Sequence, residues 1–253
     1  MDEREAREAR ESAFWDEHVP SLAEVLEELE VEPDPNTQAM IDAVQPVAGA
    51  KVLDFAAGAG VLSARLARQG AKVTALDVSP RSTERTLELA ERTGLSVTAV
   101  TGELGAVTLA DAPFDRIVGR WALHHVDCRV VGPQLAELLR PGGRAAFLET
   151  MGTNPLLSMA RAHLAGRAGV AKYGTDDERP LSRGDLRVLR SAFGALELQV
   201  RQLRFLDIFD RNVLRYRWPR VSRAVMAVDQ RLLDRLRRPH LSYEQVVILR
   251  RPA

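Results

Sequence analysis

The stretch Val52-Leu53-Asp54-Phe55-Ala56-Ala57-Gly58-Ala59-Gly60 constrains this chain more than any other. Lys51 to Phe55 has the length and apolar content of a buried strand, and it stops abruptly in a run of Ala and Gly. Val61, Leu62, Leu66 and Ala67 then recur at helical spacing. A strand, a tight turn and a helix in immediate succession form the unit from which open α/β sheets are built, and ligands sit at that turn. Gly58 and Gly60 let backbone approach a ligand closely and can take a positive φ without steric cost. Asp54 places a carboxylate, an acceptor only, beside the same turn.

The pattern that follows repeats the unit. Strands are expected at Lys51–Phe55, Lys72–Leu76, Ser96–Val100, Phe114–Val118 and Arg144–Glu149, with helices at Val61–Gln69, from Ser79-Pro80 onward, and at Val130–Leu139. This βαβα rhythm predicts a mostly parallel sheet. Two helices precede it, Asp2–Asp16 and one beginning at Ser21 with a Ser21–Glu24 capping box, and a short helix over Asn36–Val47 feeds the first strand. After Glu149 the alternation lapses. Helices are expected at Asn154–Gly166 and at Ser182–Phe193 (with a Ser182–Asp185 capping pattern), a polar stretch at Ala171–Pro180, strands at Leu196–Phe205 and Ser242–Leu249, and one or two helices over Asp207–Arg238 with a break near Pro219. The expected organisation is one domain: an N-terminal helical extension (1–47), a ligand-binding core (48–150), an insertion after strand 5 (151–195), and C-terminal strands and helices (196–253).

Composition excludes several classes. Of 253 residues, 45% are hydrophobic and 28% charged, as in a globular domain, and the formal net charge of zero provides no global attraction to nucleic acid or an anionic membrane. The charge is uneven, with an acidic segment before residue 33 and an Arg-rich one after residue 200. The single cysteine, Cys128, excludes an internal disulfide framework and fits a reducing compartment. No apolar run reaches the ~18 residues of a membrane span, and the charged N-terminus lacks the apolar centre of a signal peptide. The expected location is the cytoplasm.

Asp54, Asp77, Glu103 and the segment Arg120-Trp121-Ala122-Leu123-His124-His125 all follow strands, so a parallel sheet gathers them at one edge. A carboxylate at the end of strand 2 suits the two hydroxyls of a ribose, which both NAD and S-adenosyl-L-methionine offer. Gly58-Ala59-Gly60-Val61-Leu62-Ser63 has Ser63 where a dinucleotide fingerprint has its third Gly. A carboxylate just before the turn would oppose a pyrophosphate and favour a cationic ligand such as a sulfonium.

Four pieces in order then carry a resemblance. Val52 to Gly60 resembles the first motif of class I S-adenosylmethionine-dependent methyltransferases, and Ala75-Leu76-Asp77-Val78-Ser79 resembles their second. Phe114-Asp115-Arg116-Ile117-Val118 followed by Ala122-Leu123-His124-His125-Val126 resembles the fourth-strand motif, and Leu138-Leu139-Arg140-Pro141-Gly142-Gly143-Arg144 the turn before strand 5. The flavour is that of the small-molecule branch with the quinone-biosynthesis methyltransferases. The resemblance implies a Rossmann-like seven-stranded sheet whose last strand is antiparallel, with helices on both faces, and S-adenosyl-L-methionine as cofactor, leaving S-adenosyl-L-homocysteine. Asp54, Gly58 and Gly60 would line the methionine portion, Asp77 would take the ribose hydroxyls, and Glu103 would accept from the adenine amino group. Val78, Leu104, Arg120 and Trp15 are further candidates on the cofactor side, Phe14 and Trp15 as a lid. Ala56 departs from the family's usual Gly and is kept in the cofactor set.

The implied activity is methyl transfer to a small-molecule acceptor at oxygen or carbon, in a biosynthetic or tailoring step. The alternatives are an NAD(P)-dependent oxidoreductase and a non-catalytic S-adenosylmethionine-binding protein. In-line transfer needs alignment, exclusion of water and, for a protonated acceptor, a base. One of His124 and His125 is the candidate base, since an unperturbed His titrates near neutrality and neighbours cannot both face the substrate. Glu149, Asn154, Tyr173 and Arg179 are candidate acceptor-binding residues. His124, His125 and Cys128 match no closed zinc spacing, so no metal is expected. Aromatic residues make up only 5% of the chain and form no base-stacking stripe, and no N-P-P-[YF] element follows strand 4, so no nucleic-acid partner is expected. The sequence leaves the oligomeric state open.

Overall fold

The computed structural model describes residues 3–155, 159, 179–203, 206, 207, 210, 214, 216–236 and 242–253. In chain order the elements are α1 (Glu3–His18), α2 (Leu22–Glu30), α3 (Pro35–Ala43), β1 (Lys51–Phe55), α4 (Val61–Arg68), β2 (Lys72–Asp77), α5 (Pro80–Thr93), β3 (Val97–Thr101) and β4 (Phe114–Arg120). A single 3-10 turn (Leu123–His125) leads to α6 (Cys128–Leu138) and β5 (Leu139–Thr150). Then come α7 (Arg183–Phe193), β6 (Ala195–Gln199), α8 (Pro219–Leu236) and β7 (Glu244–Arg250). The expected helix over Asn154–Gly166 and most of the polar stretch Ala171–Pro180 lie outside the described residues, and so does Tyr173.

The seven strands form one sheet in the order β3-β2-β1-β4-β5-β7-β6. β3, β2, β1, β4 and β5 run parallel, and β7 lies antiparallel between β5 and β6. The two-residue period of a strand divides its side chains between two apolar layers. Leu53, Phe55, Ile117, Phe147, Val247 and Leu249 face the layer that α6 and α7 cover with Leu135, Leu189 and Phe193. Val52, Val118, Ala146, Leu148, Val246 and Ile248 face the layer covered by Met40 and Ile41 of α3 and Leu62 and Leu66 of α4.

Local signals account for most boundaries. Both capping boxes form: Ser21 with Glu24 starts α2, and Ser182 with Asp185 starts α7. Ser79 caps α5, Pro80 occupies its first turn, and Gly94 closes it in a left-handed conformation. Two strand ends lie well away from expectation, and the others fall within about two residues of it. β5 begins at Leu139 rather than Arg144, because Leu139 already pairs with Phe114 and an irregularity between Phe114 and Arg116 absorbs Pro141-Gly142-Gly143. β6 ends at Gln199 instead of Phe205. The buried Asn36 accepts the N–H groups of Arg201 and Gln202 on its Oδ1 (2.8 and 3.0 Å) and so diverts them from a ladder.

Candidate functional site

The carboxyl edge of β1 and β2 is built around two buried carboxylates. Asp54, next to last in β1, is 1% exposed. Its Oδ2 accepts the hydroxyl proton of Ser63 on α4 at 2.7 Å, and its Oδ1, equally buried, has no hydrogen-bond partner. Burial pushes the carboxyl pKa up to about 7, against the hydrogen bond from Ser63 and the charge of Arg120. An oxygen in this position costs free energy until a donor or a cation reaches it.

The turn after Asp54 leaves room for such a donor. Ala56, Gly58 and Gly60 all take positive φ (56°, 54° and 80°). For Ala56 this is the conformation in which its Cβ crowds backbone, the physical reason that Gly is usual at this place. A Cβ added to Gly58 would meet nothing within 4 Å, whereas one on Gly60 would stand 2.6 Å from Thr86 Oγ1. Gly58 therefore fronts open space, and Gly60 packs on α5. Thr86 also fixes the turn by donating to the Gly58 carbonyl at 3.0 Å.

Asp77 ends β2 and reaches back to the same turn. Its Oδ2 accepts the Gly58 N–H at 2.8 Å and its Oδ1 the Ser79 N–H at 2.9 Å. Desolvation raises its pKa, and those two hydrogen bonds and the nearby His125 oppose the rise. Each carboxylate oxygen has a second lone pair, so Asp77 holds the loop and still has acceptor capacity.

The edge of β4 and β5 is organised differently. Glu149, from β5, is fully buried. Its Oε1 accepts the N–H groups of Ala122 (2.9 Å) and Leu123 (2.7 Å), and its Oε2 lies 2.8 Å from His124 Nδ1. Trp121 enters this loop with φ 58° and donates its N–H to Leu148 O at 2.7 Å. One side chain thus secures three consecutive residues after β4. A neutral imidazole that gives its Nδ1–H to Glu149 has its lone pair on Nε2.

His125 turns toward the other side. Its ring packs edge-on to Trp15 of α1 (centroids 5.5 Å apart), and its Nδ1 lies 3.3 Å from Glu11 Oε2, which also accepts from Trp15 Nε1 at 3.0 Å. α1 is secured to the loop after β2. Ser12 Oγ donates to Val78 O at 3.2 Å, and Asp16 Oδ1 accepts from Ser79 Oγ at 2.5 Å and from the Arg81 N–H at 3.2 Å.

The structure thus brings Asp54, Ala56, Gly58, Gly60, Asp77, Val78, His125 and Trp15 to one edge. Glu103 follows β3 at the same edge, half-buried, and Leu104 is buried in the apolar layer beneath α6. Arg120 ends β4, where it pairs with Glu28 of α2 at 2.8 Å and lies over the Trp121 ring. Two acceptor-side candidates have partners within the protein. Glu149 faces no open space, since it is wholly buried and both its oxygens are taken within the loop after β4. Arg179 is bound in a two-pronged ion pair with Asp185 (2.9 and 3.0 Å), a structural use of its guanidinium. Asn154 is completely buried. Sequence reading missed Ser63, Thr86, Glu11 and Asp16. The third position of a helix after a glycine turn faces back onto the strand, and that signal was available for Ser63 alone. Among the described residues, no three His, Cys, Asp or Glu stand together to hold a metal ion, and no helix is long and apolar enough to cross a membrane. Cys128 is buried and its thiol pKa is pushed up to about 12, so it stays protonated.

Comparison with known proteins agrees with this geometry. Residues 52–143 match the family model described as a methyltransferase domain. A ubiquinone biosynthesis O-methyltransferase of Methylocella silvestris is 36% identical over 140 residues, covering 54% of each chain. One of Xylella fastidiosa is 39% identical over 146 residues, covering 55% of each. The match thus spans about half the length of these relatives. Among solved structures, a Haemonchus contortus phosphoethanolamine N-methyltransferase with bound S-adenosylhomocysteine has a TM-score of 0.63 at 15% identity, over 96% of this chain and 60% of its own. The [4+2]-cyclase SpnF has 0.57 at 20% identity, over 86% and 80%. These structures share the fold, while the likeness in sequence rests on the family model and the two relatives. Residues 52–143 thus resemble a methyltransferase domain, set in the fold that the solved methyltransferases share.

Proposed function

We propose that this protein transfers a methyl group from S-adenosyl-L-methionine to a small-molecule acceptor at oxygen or carbon, in a biosynthetic or tailoring step. The observation that carries the reading is Asp54 Oδ1, buried and without a partner, beside the open face of Gly58, inside the matched methyltransferase segment. A cationic donor completes that oxygen, whereas the pyrophosphate of NAD would meet its charge. When bound, the cofactor supplies an electrophilic sulfonium methyl. Asp54 with Gly58 and Gly60 would hold the methionine end, Asp77 and Glu103 the ribose and adenine, and α1 would cover the adenosine side with Trp15 and exclude water.

Of the two histidines, His124 is the better candidate base. Glu149 holds the proton on Nδ1 and leaves Nε2 to accept the acceptor's proton. His125, beside Asp77 and Glu11, would close the cofactor side. The names of the sequence relatives support an O-methylated acceptor. The single buried cysteine supports a cytoplasmic setting.

Titration calorimetry with S-adenosylhomocysteine and with NAD tests the cofactor: NAD binding without S-adenosylhomocysteine binding sinks the reading. Because a cyclase shares this fold, binding is not enough. Transfer of labelled methyl to a panel of phenols, hydroxy acids and carbon acids tests the reaction, and the absence of any labelled product at saturating cofactor leaves a binding protein instead.

A further inference from the structure

The zero net charge of the chain conceals one helix with a strongly asymmetric surface. Half of the large apolar side chains exposed among the described residues lie between positions 216 and 228: Tyr216, Trp218, Val221, Met226 and Val228. Trp218, 53% exposed, immediately precedes α8. Among the described residues of this helix, only Ser222 and Asp229 are buried. Asp229 ties that line to the body by accepting the N–H groups of Leu206 and Asp207 at 2.9 to 3.0 Å.

The outer line is different. Val221, Ala224, Val228, Arg231 and Arg235 follow one another at spacings of three and four, so they form a single stripe, and all are exposed. Arg217, Arg220 and Arg223 are also exposed, so this region presents five exposed arginines against one exposed acid, Asp234. Topology places it at the carboxyl edge of the sheet. β6 runs parallel to β5 through their shared partner β7, so the chain leaves β6 and enters β7 at the edge that carries Asp54 and Asp77.

We propose that α8 is a docking face for an anionic lipid surface. An 18-residue helix is about 27 Å long, enough to lie along a bilayer. Val221, Val228 and Trp218 would enter the headgroup layer, while the arginines keep their stems against them and their guanidinium groups at phosphate level. Charge complementarity selects this occupant over a second copy of the chain. Arginines are interleaved with the exposed apolar residues along the chain (Arg217-Trp218, Arg220-Val221, Arg223-Ala224) and continue at Arg231 and Arg235, so the apolar surface is nowhere far from positive charge; a plane of phosphates neutralises that charge, and a second copy of the same face repels it. The attraction is local to one helix, which reconciles it with a neutral chain.

Co-sedimentation of the full chain with vesicles tests the proposal without reference to methyl transfer. The wild-type protein should pellet with phosphatidylglycerol–phosphatidylcholine vesicles, far less with phosphatidylcholine alone, and be released by added salt. Val221→Ser with Val228→Ser, and separately Arg231→Glu with Arg235→Glu, should each lower the partition coefficient by about tenfold or more, with unchanged circular dichroism. Absence of binding to the anionic vesicles overturns the proposal, and so does equal binding by wild type and both double variants. Self-association in sedimentation velocity that the variants abolish, without lipid binding, overturns it in favour of a contact between copies.

Discussion

Two buried carboxylates at the same sheet edge have opposite surroundings. Glu149 is complete, its two oxygens shared among two backbone N–H groups and one imidazole. Asp54 is incomplete, one oxygen satisfied by Ser63 and the other facing no donor. Both residue types are the same to a reader of the sequence. The difference lies in their lone pairs: the filled acid holds the loop after β4 in place, and the unfilled one keeps acceptor capacity, which is the basis of the role proposed for it.

The largest expected effect comes from emptying the filled site. Glu149→Ala strands two buried N–H groups and a histidine, and should lower the unfolding free energy by about 3–5 kcal/mol in urea denaturation. A loss below about 1 kcal/mol would mean that the loop after β4 does not depend on it. Asp54→Asn should do the reverse. At pH 8 it removes a buried, poorly solvated charge and should raise the thermal midpoint of the ligand-free protein, while S-adenosylhomocysteine affinity in calorimetry falls by about 100-fold, or about 2.7 kcal/mol. A variant that both loses stability and keeps affinity would break the contrast.

A third measurement uses the titration itself. The Asp54 pKa in the folded protein is raised from 3.8 to about 7, so its contribution to stability is fully present below the unfolded value and is lost as pH rises through about 7. A cationic ligand needs the ionised form. Its affinity should therefore fall as pH drops below 7, approaching tenfold per unit, and a flat profile from pH 5.5 to 8 would remove Asp54 from the binding step. Smallest of all is Ala56→Gly. Relief of the left-handed alanine and the added freedom of glycine oppose each other, so stability should change by less than about 1 kcal/mol. A loss of several kcal/mol would show that the Ala56 methyl is itself part of the packing.

What could be read in advance follows from where the information lies. β1, α4, β2 and α5 were legible because strand period, glycine turn and capping residues are local, and the same holds for the capping boxes at Ser21 and Ser182. The seven-stranded sheet with an antiparallel last strand came from motif resemblance and is the sheet found. The use of Glu149 was not legible, since its partners lie 25 to 27 residues earlier and alternation along β5 does not reveal which polar groups lie beneath. Nor was the anchoring of α1 at Asp16, whose partner Ser79 is 63 residues away. The end of β6 depended on Asn36, a competitor for its backbone 165 to 166 residues away.

The place of β7 between β5 and β6 has a consequence for how the chain is made. β6 leaves the ribosome before β7, yet among the described residues the only strand it pairs with is β7. Until residues 244–250 emerge, β5 keeps an open edge beside Phe147 and Leu148, and a nascent chain with such an edge is vulnerable to pairing with a neighbour. The edge around Asp54 and Asp77, where the cofactor is proposed to bind, by contrast needs only strands already synthesised, so its parts are in hand before the sheet that supports them is closed.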